Sequence, residues 1–164
     1  MHGCLYGKRM KPENRMIVLS PAQQKAFDAV MEGVAAGHLV LLKARSCSGR
    51  TTVLQKVQAA IGGVLLGMRE FPGVPVVEEP FAFEEFFLRV IEQALASSGL
   101  VIVDDLHLVT RVTRNRDCPH AILLDAALTA MLGDAAAFGK KMVFATDQEA
   151  PWPIERRAVE VEIG

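Results

Sequence analysis

Several groups of residues in this chain have the types and spacing to work on phosphate. The first is Ala44-Arg45-Ser46-Cys47-Ser48-Gly49-Arg50-Thr51, followed by Thr52. It stands between an apolar run and a helical period, and it follows the pattern G-x-x-x-x-G-K-[ST] with two departures. A loop of this kind turns backbone N–H groups inward as an anion nest. It also aims the positive end of the following helix at phosphate. Gly49 suits the turn, and Thr51 supplies a hydroxyl for a hard divalent cation such as Mg²⁺. Ala44 in place of the first Gly is a mild change. Arg50 in place of Lys is a larger one: Lys is a compact point charge, whereas Arg is a planar fork. That fork can hold phosphate bidentately, and it can also displace the terminal phosphate.

The second group is Val101-Ile102-Val103-Asp104-Asp105, an apolar strand ending in acids. Asp104 is expected to hold Mg²⁺ through water, and Asp105 to polarise an attacking water. The third is Val143-Phe144-Ala145-Thr146-Asp147, where Thr146 or Asp147 ends a strand with a polar group. The fourth is Arg156-Arg157, just before the last strand. A cation there can act in trans on a neighbouring subunit's nucleotide, a device that contributes about 10³–10⁵ in rate. Each group has a plainer alternative: a turn before a helix, carboxylates capping a strand, an ordinary strand-to-loop Asp, a surface Arg pair.

These residues need elements to position them. Residues 1–19 read as a loose entry segment, broken by Gly3, Gly7, Pro12 and Asn14. Ser20-Pro21-Ala22-Gln23 then offers an N-cap, a first-position Pro and a Gln three residues after the cap. Ala26, Phe27, Val30, Met31 and Val34 share one helical face, and Gly37 stops it. His38–Ala44 reads as a buried strand. Val53, Leu54, Val57, Ala60 and Ile61 form a second helical period, ended by Gly62-Gly63. A strand is expected over 64–70 and a loop over 71–80, which holds Pro72, Pro75 and Pro80.

Phe83, Phe86, Phe87, Val90, Ile91, Ala94 and Leu95 make the cleanest amphipathic helix in the chain. Leu100–Val103 is a continuous buried strand. A basic polar loop is expected over 111–119, a helix over 120–137 and a strand over Met142–Thr146. A loop follows over 148–156. Val159, Val161 and Ile163 alternate with Glu160 and Glu162, which predicts an edge strand exposed on one face. Strands and helices therefore alternate, as in a parallel sheet with helices on both faces. Such sheets place ligands at the carboxyl ends of their strands, where the first three groups fall.

Composition narrows the function classes. The 18 Lys+Arg and 19 Asp+Glu leave a formal net charge of -1, which excludes a protein defined by a nucleic-acid or membrane-surface field. At 51% hydrophobic residues the chain is not disordered. Cys4, Cys47 and Cys118 are scattered and odd in number, so neither a disulfide framework nor a zinc site is expected. Met1–Arg15 carries charges and no apolar run, so no secretory signal is read there. No run is long enough to span a membrane. A reducing cytoplasmic setting fits these features.

The order of elements resembles the large nucleotide-binding subdomain of AAA+ ATPases, within the P-loop NTPases. The residues that carry the resemblance are ARSCSGRT (44–51), VIVDD (101–105), VFATD (143–147) and ERRAVEVEI (155–163). The first two correspond to the Walker A and Walker B motifs, Walker A being degenerate at Arg50. The resemblance covers about residues 16–164, with 1–19 as entry segment and 20–164 as the subdomain.

It implies an α/β fold, a five-stranded, mostly parallel sheet flanked on both faces by helices, and the absence of the helical lid that follows this core. It further implies ATP and Mg²⁺, with residues 44–52 on the nucleotide and Thr51 and Asp104 on the metal. Asp105, Asp147 and Arg156 take the catalytic positions. A homo- or hetero-oligomeric ring, hydrolysis slowed by Arg50 and work on a macromolecular partner, protein rather than nucleic acid, complete the expectation. The alternative is a non-catalytic P-loop scaffold or regulatory subunit that assembles with active ATPases, which Arg50 and the short reach of Asp105 favour.

Overall fold

A computed structural model describes residues 17–67, 82–114, 120–147 and 149–164. The expectations for residues 1–16, the strand end 68–70, the proline-rich loop 71–80 and the loop residues 115–119 lie outside them.

The first helix, α1 (Pro21–Ala35), begins as the sequence suggests. Ser20 Oγ accepts the Gln23 N–H at 3.3 Å, and Gln23 Oε1 accepts the Ser20 N–H at 3.0 Å, so two otherwise orphaned donors are satisfied reciprocally. Strand β1 (Val40–Lys43) leads through a turn into α2 (Arg50–Ile61), and β2 (Val64–Leu66) follows. Next come α3 (Ala82–Ser97), β3 (Leu100–Val103), α4 (His107–Arg114), α5 (His120–Ala137) and β4 (Lys141–Thr146). The chain closes with α6 (Trp152–Arg157) and β5 (Val159–Glu162).

The five strands form one sheet in the order β2-β3-β4-β1-β5. Every pairing is parallel, so the sheet is wholly rather than mostly parallel. Its strands are short apolar runs because both faces are covered. Residues of alternate parity go to opposite faces. Val40, Leu42, Ile102, Val143 and Ala145 pack with α1 (Ala26, Val30, Val34) and α2 (Val53, Leu54, Val57). Leu41, Val101, Val103, Met142 and Phe144 pack with α3 (Phe87, Ile91), α5 (Leu124, Leu128, Met131) and Ile154 of α6. The phenylalanine helix behaves as its period predicts: Phe87 and Ile91 are fully buried, while Phe83, Phe86 and Val90 flank them.

Two expected loops contain helices. Arg111–Arg114 belongs to α4, which burial of Leu106 and Val109 anchors to the core. Residues 152–157 form α6 within the expected loop 148–156; Pro153 sits in its first turn, where a missing N–H costs nothing. The edge strand β5 is also less regular than its alternation suggests, since Val161 is buried but Val159 is 43% exposed. Of the entry segment, Leu19 packs beside α1 and α2, and Lys56 Nζ donates to the Ile17 carbonyl at 2.9 Å. Among the described residues no helix is long and apolar enough to cross a membrane.

Candidate functional site

The strand order brings the carboxyl ends of β1, β4 and β3 side by side. Backbone hydrogen bonds then tie the segments leaving them. Ala44 N–H donates to Thr146 O at 3.1 Å, Asp104 N–H to Leu66 O at 2.9 Å, and Leu106 N–H to Ala145 O at 2.9 Å. The turn after β1 uses left-handed backbone at Cys47 (φ 65) and Gly49 (φ 84), the latter serving as N-cap of α2. This alternation of backbone handedness is the geometry that gathers N–H groups into a nest. Asp105 is also left-handed (φ 56). Asp is among the few side-chain-bearing residues that visit this region.

Across this end of the sheet lies an open cleft of about 610 Å³. Of the loop residues read from sequence, Arg45, Ser46, Cys47, Gly49, Arg50 and Thr51 line it, together with Asp104 and Asp105. Ala44, Ser48 and Thr52 complete the segment without lining the cleft. Thr51 Oγ1 donates to Asp104 Oδ2 at 2.6 Å across 53 residues of sequence. Two polar atoms of the loop, Ser48 Oγ and Arg50 Nη1, are buried without a hydrogen-bond partner among the described residues. Unmet donors beside a helix N-terminus suit the oxygens of a phosphate group.

Arg50 does not extend as a free cation. Its Nε donates to Asp104 Oδ1 at 2.9 Å and its Nη2 to Asp105 Oδ1 at 2.5 Å. The Arg50 side chain is 10% exposed, Asp104 4% and Asp105 25%. Asp104 Oδ1 also accepts the Asp105 N–H at 2.8 Å. The Thr51 hydroxyl and the Asp104 carboxylate have the hard-oxygen chemistry that Mg²⁺ prefers. The guanidinium on both acids does not fit a divalent cation at the same place, because it adds like charge and takes up acceptor sites.

The remaining predicted residues lie apart from the cleft. Asp147, at the end of β4, stands 3.3 Å from His107 Nδ1, though the two atoms are not aligned as a hydrogen bond. Thr146 is fully buried. Arg156 lies over the Trp152 ring at 5.0 Å, and Arg157 Nη1 donates to Thr129 O at 3.3 Å. Val159 pairs with Val40 at the start of β1, so both arginines sit at the end of the sheet opposite the cleft. Neither reaches the cleft of its own chain.

Gln55, Leu65 and Gly67 line the cleft without having been singled out in the sequence. Gln23 has a second role beyond capping: its Nε2 donates to Ser48 O at 2.9 Å and braces the loop against α1. A Cβ on residue 49 would meet that same Nε2 at 2.1 Å. Gly49 is thus demanded by its φ, and any other residue there would also push the end of the Gln23 side chain off its brace. The capping pattern marks Gln23, but nothing local in the sequence marks the brace.

No protein-family model matches this chain, and no curated protein sequence matches it. Among solved structures the chain is similar to domain III of the replication initiation protein DnaA from Thermotoga maritima. That likeness has a TM-score of 0.58 and 14% identity, and it covers 90% of this chain and 64% of that one. AMPPCP-bound DnaA from Aquifex aeolicus matches with a TM-score of 0.53 and 14% identity, over 89% of this chain and 48% of that chain. Pif1 helicase from Candida albicans matches with a TM-score of 0.51 and 13% identity, over 90% and 40%. The chain thus spans about half the length of the AMPPCP-bound DnaA chain it matches. What these likenesses show is the fold: an α/β fold on a five-stranded parallel sheet, shared with the DnaA and Pif1 structures.

Proposed function

We propose that the chain is a nucleotide-binding P-loop module of AAA+ type that takes the triphosphate of ATP in the cleft at the carboxyl ends of β1 and β3. The observation that carries this is the contact of Thr51 Oγ1 with Asp104 Oδ2, which joins the two motifs at one point in space. Backbone N–H groups of the loop residues that line the cleft and the N-terminus of α2 receive the phosphate oxygens. Arg50 Nη1 supplies a further donor. The AMPPCP that the Aquifex aeolicus neighbour carries in this fold supports the choice of ligand. Mg²⁺, where bound in such sites, neutralises phosphate charge; here that work falls to Arg50.

The pairing of Arg50 with Asp105 favours binding over turnover. A carboxylate polarises water best when it is unpaired, and the guanidinium on Asp105 Oδ1 draws on its negative charge. The chain is therefore best described as a weakly hydrolysing or non-catalytic module whose nucleotide state is read by a partner. Arg156 belongs to a neighbouring subunit's cleft if the chain assembles into a ring. Asp147 stands behind His107 as the polar end of β4. The net charge of -1 favours a protein partner. Single-stranded DNA is the competing class, since one solved DnaA neighbour is bound to it.

Calorimetric titration with AMPPCP tests the binding. Saturable binding at or below millimolar ligand is expected, and no heat at millimolar AMPPCP overturns it. Steady-state phosphate release then divides the two activities: a non-catalytic module stays at the buffer rate alone and when oligomeric.

A further inference from the structure

Arg50 faces a direction that its place in the loop does not require. A cation after the turn glycine normally serves bound phosphate, and the strand-end acid normally serves a divalent metal. Here the cation serves the acids. Nε binds Asp104 Oδ1 at 2.9 Å and Nη2 binds Asp105 Oδ1 at 2.5 Å. Asp104 Oδ1 also takes the Asp105 N–H, and Asp104 Oδ2 takes the Thr51 hydroxyl. A carboxylate offers about four lone-pair sites, so three of those on Asp104 are filled. The Arg50 side chain is nine-tenths buried.

A Mg²⁺ ion needs near-octahedral oxygen ligands and keeps several waters. Those waters need acceptors, and Asp104, the acid that touches Thr51, already has three donors. The ion would also face the positive charge of the guanidinium. A lysine at this position would behave differently. Its single ammonium is a point charge, whereas the fork of Arg50 engages two carboxylates with two nitrogens and keeps Nη1 in reserve.

Resting on the nucleotide-binding proposal above, we infer that Arg50 is the built-in counter-cation of this site and replaces the divalent metal. The chain then binds the nucleoside triphosphate in its metal-free form. Arg50, which lines the cleft, keeps Nη1 without a partner among the described residues, and a phosphate oxygen completes it. Arg45 at the cleft adds a second positive charge. Arg50 and Arg45 together offset the charges of Asp104 and Asp105, so the triphosphate meets no uncompensated acid at the cleft.

The full chain is titrated with AMPPCP in EDTA and again in millimolar MgCl₂. The expected result is the same Kd in both, within about twofold. AMPPCP should likewise raise the thermal unfolding midpoint equally in both buffers, because stabilisation follows affinity. Arg50→Lys should acquire metal dependence, binding AMPPCP at least about tenfold more tightly with Mg²⁺ than with EDTA. Native affinity that falls tenfold or more in EDTA overturns the inference and leaves nucleotide binding intact. An Arg50→Lys chain that stays folded and metal-independent also overturns it. If AMPPCP binds in neither buffer, the nucleotide-binding proposal fails and this one fails with it. The two native titrations decide the matter even if the variant does not fold.

Discussion

Lys43 and Arg50 stand at the two ends of one turn, and each meets more than one carboxylate. Lys43, the last residue of β1, donates to Glu160 Oε1 at 2.7 Å and lies 3.8 Å from Glu155 Oε1. Its side chain is 28% exposed and that of Glu160 43%. The Glu160 hydrogen bond holds the Lys43 ammonium above its ordinary value; partial burial opposes this, and the charges of Glu160, Glu155 and Glu162 reinforce it. Arg50 and Asp104 meet where water is nearly excluded, and Asp105 joins them at the wall of the open cleft. The difference is one of solvent. A surface pair is screened and pays side-chain entropy, so it contributes about 0–1 kcal/mol. A buried pair need not add net stability, but removing one partner strands a charge and costs about 3–5 kcal/mol. The pair by the cleft is therefore a fixture of the folded state, and the pair on β5 is not.

The largest expected effect is at Arg50. Arg50→Ala in EDTA should lower unfolding free energy by about 3–5 kcal/mol in chemical denaturation. A loss no greater than that of Lys43→Ala would break the comparison. Millimolar Mg²⁺ should recover part of the loss, since the exposed acids then bind an ion that binds only the folded chain. Adding Asp105→Asn to Arg50→Ala should also recover part of it, because one stranded charge is removed.

A smaller loss, about 1 kcal/mol, is expected for Gln23→Ala, which gives up the capping contact and the brace on Ser48 O. That variant should also weaken AMPPCP binding, whereas Lys43→Ala should not. Lys43→Ala itself should cost less than about 1 kcal/mol, and less again in high salt. Its pH dependence has a definite sign. The folded-state value is raised, so the contribution is complete below the ordinary lysine value and is lost as pH rises through the raised one. Denaturation midpoints of native and Lys43→Ala chains should converge at strongly alkaline pH.

The smallest effect belongs to a carboxylate raised by its surroundings alone. Burial pushes the Asp125 carboxyl up, so its ionised form carries a cost that grows as pH rises through the carboxylate range. Asp125→Asn should give a slight gain in thermal stability at neutral pH and none where the carboxyl is already protonated. A loss at neutral pH would show that Asp125 is paired rather than merely desolvated.

Much of the scaffold was legible because its signals are local. Ser20 and Gln23 lie three residues apart, and a capping box needs nothing further away. Phe83, Phe87 and Ile91 declare a helical face by period. Leu100–Val103 declares a doubly covered strand by being apolar throughout. The misread stretches lacked such a signal: α6 begins among prolines, and α4 is held by Leu106 and Val109 against a core that forms elsewhere. At the cleft, Thr51 and Asp104 were legible as residue types, and their contact follows from the two motifs. The partner of Arg50 was not legible, because phosphate and carboxylate attract a guanidinium alike.

Periodicity and turn chemistry, which depend on neighbours a few residues away, determined the elements, the alternating α/β order and the candidate loop. Tertiary structure alone decided the sheet order β2-β3-β4-β1-β5. It set Arg50 against Asp104 and Asp105 across 54 and 55 residues, and it sent Arg156 to the far end of the sheet. These outcomes depend on which strand ends become neighbours and on how much water is left between them. Strand adjacency is set by packing both faces of the sheet at once, and no local stretch of the chain encodes it.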